Sequence, residues 1–127
     1  MPREIKFRAW DKEQTRAFTK MLYQTDDIYS FFQELQNAKA EYGCDWELMQ
    51  FTGLYDKDER KIYEGDLVKV PDYTTLNGRT ILHEATEVTF CEGAFYLGFG
   101  YSDDLSSNAC EVEVVGNIWE NPELLSV

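Results

Sequence analysis

Near the start of the chain the pattern has a period of two: Ile5, Phe7 and Ala9 alternate with Lys6, Arg8 and Trp10. In an extended backbone successive side chains point to opposite faces, so this pattern predicts a half-buried strand over Glu4 to Trp10. The polar run Asp11-Lys12-Glu13-Gln14-Thr15 predicts a turn. Arg16 to Tyr23, with Phe18 and Leu22 on one face, predicts the returning strand of a hairpin. The period then changes. Ile28, Phe31, Leu35, Ala38 and Tyr42 recur at steps of three and four, which aligns them along one side of a helix, and Phe32 widens the stripe. Thr25 or Asp26 is expected to cap this helix, Asp27 to set negative charge against its dipole, and Gly43 to end it.

Beyond Gly43 the period returns to two. Trp46 to Phe51 alternates, with either face a candidate for burial, and Gly53 to Lys61 reads as a charged turn centred on Asp56-Lys57-Asp58-Glu59. Glu64-Gly65-Asp66 announces a short strand over Leu67 to Val70. Thr74 to Leu76 and Thr80 to Leu82 flank Asn77-Gly78, the pair best suited to a type I′ hairpin turn. Thr86, Val88 and Phe90 share a face opposite Glu87 and Thr89, and Phe95, Leu97 and Phe99 run back after Cys91-Glu92-Gly93. Gly100 to Ala109 reads as a polar loop. Val112 and Val114 alternate with Glu111 and Glu113 in a last strand, which Gly116-Asn117 is expected to bend before the tail at Asn121-Pro122.

Short strands at close spacing with a single helix exclude repeated βαβ units and predict a mainly β (α+β) chain. The expected form is a small SH3-like or related β-barrel between Tyr63 and Trp119, with the N-terminal β-hairpin and the one amphipathic helix packed outside it. At 127 residues the chain is read as one domain, 1–127, with a hairpin-plus-helix subregion over 1–52 and a barrel subregion over 53–127. A chain of this size hides roughly two-thirds of its surface on folding, enough for a core without disulfides or metals. Eight Phe, eight Tyr and three Trp supply large apolar areas for that core.

Charge narrows the choice of partners. Twenty-four acidic against twelve basic residues leave a net charge of −12, which repels phosphate backbones and anionic membrane surfaces. Direct nucleic-acid and membrane binding are therefore not expected. The N-terminal residues lack an apolar run behind their charges, and no stretch has the ~18 apolar residues of a membrane helix, so a cytoplasmic location is expected.

Candidate chemistry is sparse. His83 is the one histidine, which excludes a multi-histidine metal site and makes His83 a surface residue rather than a general base. Cys44, Cys91 and Cys110 are odd in number and have no CxxC spacing, which argues against a disulfide framework and a structural zinc. Cys91 has Glu92 beside it, which raises a thiol pKa rather than activating it. Asp56, Asp58 and Glu59 resemble the start of a calcium loop, but Lys61 stands where the loop glycine is needed. Asp103-Asp104 reads as solvated. No glycine pattern of a phosphate-binding loop occurs. Catalytic residues, cofactor and metal are accordingly expected to be none. The candidate partner-binding residues are Trp46, Tyr63, Asp66 and Trp119, although Gly65 and Asp66 equally suit a purely structural turn.

Four segments in order resemble the YopX family. They are Ile5-Lys6-Phe7-Arg8-Ala9-Trp10-Asp11, Leu48-Met49-Gln50-Phe51-Thr52-Gly53-Leu54-Tyr55-Asp56-Lys57, Ile62-Tyr63-Glu64-Gly65-Asp66-Leu67-Val68, and the run from Val115 to Leu124. Two departures stand out: Glu59 and Arg60 occupy a place where the family often has a turn glycine, and Trp119 often corresponds to Tyr. The resemblance implies a mainly β protein of phage or prophage origin with no established activity, and it carries over no site residues. The expected function is that of a non-catalytic accessory protein acting through protein–protein binding or self-assembly as a homo-oligomer. Two alternatives are an acidic DNA-mimic decoy of a basic host protein and a small nucleotide- or nucleic-acid-processing enzyme.

Overall fold

A computed structural model describes residues 5–13, 21–69, 73–74, 76, 78, 80–81, 85–91, 94–97 and 112–124. The fold is mainly β with one helix. By contact density the chain divides into two compact units, Met1–Phe51 and Thr52–Val127.

In the first unit, β1 (Phe7–Asp11) lies between β2 (Met21–Tyr23) and β3 (Trp46–Tyr55), antiparallel to both. The sheet they begin is curled, half of a barrel. Ala9 stands opposite Leu22 on one side and Leu48 on the other, so these three share a face. The helix α1 (Ile28–Tyr42) packs there: Ala9, Phe31 and Leu35 form a buried cluster, with Phe7, Leu22, Phe32 and Trp46 against it. Burying a Phe or Leu of this kind stabilises by about 1.5–3 kcal/mol each. The helical stripe is therefore borne out at its centre, while its ends, Ile28 and Tyr42, remain exposed.

Several boundaries differ from expectation. Asp27, rather than Thr25 or Asp26, caps α1, accepting the Ser30 N–H at 2.8 Å with its side chain. That bond and a second from the Ser30 hydroxyl at 2.9 Å hold the Asp27 carboxyl below its ordinary pKa. Gly43 ends the helix as expected, at φ 74° with its N–H on the Lys39 carbonyl. β1 is buried on both faces, not one: Arg8 is only 2% exposed and Asp11 is fully buried. A strand between two neighbours has no bare edge, and here its polar side chains are absorbed. Arg8 lies over the ring of its cross-strand partner Tyr23 at 6.0 Å. Asp11 accepts the N–H groups of Glu13 and Asp45. The predicted strand residue Phe18 lies outside the described residues.

The second unit takes up β3 at Thr52. The stretch from Gly53 to Tyr55, expected as turn, continues the strand, and the turn is confined to the residues before β4 (Lys61–Tyr63). A four-stranded antiparallel sheet follows, ordered β10-β5-β8-β9, from β5 (Asp66–Lys69), β8 (Thr86–Cys91), β9 (Ala94–Leu97) and β10 (Glu113–Asn117). β6 (Tyr73–Thr74) and β7 (Thr80–Ile81) pair antiparallel in a separate ladder, and Gly78 between them has φ 80°; Asn77 lies outside the described residues. The core of this unit is Ile62, Val68, Val88, Phe95 and Val112, with Leu54 and Val114 against it. Phe90 shares the Val88 face by alternation yet stays 49% exposed, its ring 4.9 Å from Phe95. β10 passes through Gly116-Asn117 with a bulge after Val114, so the bend falls at 118–120 instead. Phe99, the 100–109 loop, Asp103-Asp104, His83 and Cys110 lie outside the described residues, as does the side chain of Cys91.

Candidate functional site

Three of the four candidate residues, Tyr63, Asp66 and Trp119, belong to the second unit; Trp46 belongs to the first. Tyr63 ends β4 and Asp66 begins β5, and both are buried. The turn between them is tight because Gly65 sits at φ 87°, a conformation that side chains resist. Across it the Asp66 carboxylate accepts the Tyr63 N–H at 2.8 Å. The Gly65 N–H donates to the Val88 carbonyl at 2.9 Å, and the Gly65 carbonyl accepts the Ile118 N–H at 2.9 Å. Asp66 also faces Asn117 across the β5–β10 ladder.

Asn117 organises the neighbouring turn. Its Oδ1 accepts the N–H groups of Trp119 and Glu120 at 3.0 and 2.9 Å, and its Nδ2 donates to the Glu120 carboxylate at 2.8 Å. Asn121 Oδ1 accepts the Asn117 N–H, while the Asn121 N–H returns to the Asn117 carbonyl. Gly116 makes this possible, since a Cβ there would lie 2.7 Å from the Asn121 side-chain carbon Cγ. Trp119 is half-buried on this turn. In the first unit, Trp46 is half-buried on β3 and donates its indole N–H to the Leu35 carbonyl at 3.0 Å, tying α1 to the sheet.

One residue with many bonds in the second unit was read from sequence as part of a charged turn and as a rejected calcium ligand. Asp56 is buried, and its carboxylate accepts N–H groups from Asp58 (2.9 Å), Arg60 (2.8 Å) and Val114 (3.0 Å), with the Arg60 guanidinium at 3.3 Å. Burial pushes its pKa up, but the N–H groups of Val114, Arg60 and Asp58 and the Arg60 charge together outweigh it, leaving the group below its ordinary value. Local spacing signals the bonds to Asp58 and Arg60. The one to Val114, 58 positions away, has no sequence signal. Thr52 behaves similarly, donating to the Ile62 carbonyl at 2.7 Å while accepting the Leu54 N–H.

Among the described residues no group of three or more His, Cys, Asp or Glu is placed to hold a metal ion. A shallow recess beside the start of α1 is lined by Thr25, Asp26, Ser30, Phe31 and Glu34. Cys44 is a buried thiol that donates to the Ala38 carbonyl. Glu87, on β8, has its pKa raised by burial and by the nearby Glu64 charge. Among the described residues no helix is long and apolar enough to cross a membrane.

Every one of the four motif segments thus contains side chains that bind backbone: Asp11, Thr52 and Asp56, Asp66, and Asn117 with Asn121. The model of the YopX protein family matches residues 6–126. The chain belongs to the YopX family. A solved structure of similar fold is the crystal structure of protein EF1440 from Enterococcus faecalis, with 22% identity, a TM-score of 0.59, and 98% of this chain and 100% of that one covered. At that identity the likeness is one of fold. No curated protein matches the chain. Glu59, in the turn that follows the second of these segments, adopts φ 63°.

Proposed function

We propose that this YopX protein is a non-catalytic accessory protein of phage or prophage origin, working in the cytoplasm of a bacterial host by binding protein, either a host factor or a further copy of itself. The observation that carries the reading is the outer side of β9. Among the described residues no strand pairs with it, Ala94-Phe95-Tyr96-Leu97 contains no charge, and the adjacent Phe90 is half exposed against Phe95. An uncharged strand edge beside exposed aromatic surface suits strand addition, in which backbone bonds supply affinity and side chains selectivity.

Charge supports this reading over the decoy. Lys12 and Arg60 sit among carboxylates: Lys12 lies 3.6 Å from Asp45 and 3.4 Å from Glu47, and Arg60 contacts Asp56, Asp58 and Glu113. A DNA mimic needs a face of uncompensated charge. The test is a tagged pull-down from host lysate, washed at low and then high salt, in parallel with Phe90→Lys. The expected result is a protein retained at high salt by the native chain and lost by the variant. Equal capture by a folded variant counts against the β9 surface, and a basic DNA-binding protein released by salt would favour the decoy.

A further inference from the structure

The opposite edge of the same sheet is treated differently. β5 pairs with one side of β10, and no strand among the described residues pairs with the other. A bare edge presents unpaired N–H and C=O groups to any approaching strand. On β10 turns occupy them. The Val112 carbonyl accepts the Lys57 N–H at 3.0 Å, and the Val114 N–H donates to the Asp56 carboxylate at 3.0 Å. At the far end Asn121 takes both the N–H and the carbonyl of Asn117. Ion pairs from Lys57 and Arg60 to Glu113, at 4.0 and 3.6 Å, hold the turn alongside. An acceptor at Val112 and a donor at Val114 are two residues apart, the repeat on which an antiparallel ladder is built. Asp56 places a side-chain oxygen where a neighbouring strand would place a carbonyl.

We propose that the Asp56–Arg60 turn is an edge guard, and that removing the Asp56 carboxylate turns β10 into a self-pairing edge through which two copies join. The occupant is a second copy because two-fold antiparallel pairing brings the same donors and acceptors of each β10 into mutual register. This inference concerns β10 alone and does not depend on the role assigned to β9.

The experiment compares the full chain with Asp56→Ala by light-scattering mass across a concentration series, with amide exchange read at Val114. The variant is expected to keep its far-UV circular dichroism, to exchange the Val114 amide at least tenfold faster in dilute solution, and to reach twice the native mass as concentration rises. Adding Val114→Pro removes the N–H that the edge offers, so the double variant should return to the native mass even though it is less stable. Should Asp56→Ala fail to fold, Asp56→Asn, whose Oδ1 still accepts the Asp58 and Arg60 amides while its Nδ2 replaces the oxygen that faces Val114, is expected to show the same doubling at higher concentration. A folded variant whose mass follows the native chain at every concentration overturns the proposal. So does a larger species that persists or grows in the double variant, since that is the behaviour of unfolding-driven aggregation.

Discussion

Glu59 is held at φ 63°, inside the left-handed region that costs an L-residue about 1–2 kcal/mol. What holds it there is the turn around Asp56, whose carbonyl accepts the Glu59 N–H at 3.0 Å and whose carboxylate gathers the amides on either side. Glycine would adopt this φ without strain, though it would also gain freedom in the unfolded chain. Glu59→Gly is therefore expected to stabilise the protein by about 0.5–1 kcal/mol, seen as a higher urea midpoint at unchanged slope. A midpoint that falls would mean that the Glu59 side chain contributes more than its backbone costs. The bonds made by Asp56 itself differ in how far they could be read beforehand. Those to Asp58 and Arg60 are the ordinary habit of an aspartate in a turn, whereas that to Val114 depends on which strand folds beside it.

Among elements, the helix was the most readable, because a period of 3.6 over fifteen residues has few competing interpretations and Gly43 ends it with an αL cap. Its cap shifted by one position for a local reason: Asp27 stands three before Ser30, the spacing that lets a capping carboxylate reach an orphan N–H. Strand ends were less readable. β3 runs on through Gly53 and Tyr55, and β4 follows a short turn, since pairing between strands decides where extension stops. β10 likewise continues through Gly116, which is glycine because Asn121 packs against it rather than because the chain bends there. Gly116→Ala should displace Asn121 and its bond to the Asn117 N–H, costing about 1–3 kcal/mol in chemical denaturation. If the loss is below a few tenths, the 117–121 turn can shift without penalty and Gly116 is not required by packing.

At the scale of the molecule, the net charge of −12 makes acid response the natural probe of its electrostatics. Asp56 and Asp27 both lie below the ordinary value of 3.8 in the folded protein. A depressed carboxyl adds stability that is present above its unfolded pKa and disappears as pH falls through the folded one, so both contribute to unfolding only below about pH 4. Glu87 works in the opposite sense. Its folded pKa is raised above 4.5 by burial and Glu64, so its favourable state is complete below that value and is lost as pH rises through the folded pKa. Glu87→Gln should therefore stabilise the protein at pH 7 and change little at pH 4, measured as thermal midpoints at the two pH values. A gain of equal size at both would show that the effect is one of packing and not of charge.

The sequence by itself determined the class of fold, the helix and its C-terminal cap, the turn at Glu64-Gly65-Asp66, and membership in a family. Each of these rests on interactions between residues a few positions apart, or on a period that a single element imposes on its own side chains. Tertiary structure alone decided that Arg8 and Asp11 are buried, that Trp46 binds the Leu35 carbonyl, and that Tyr63 and Asp66 lie inside a turn packed against β8 and β10. It also decided that Asp56, 58 positions from Val114, closes the edge of β10. Such pairings depend on which strands become neighbours, and a polar residue on a strand has the same local pattern whether its face meets water or another chain segment.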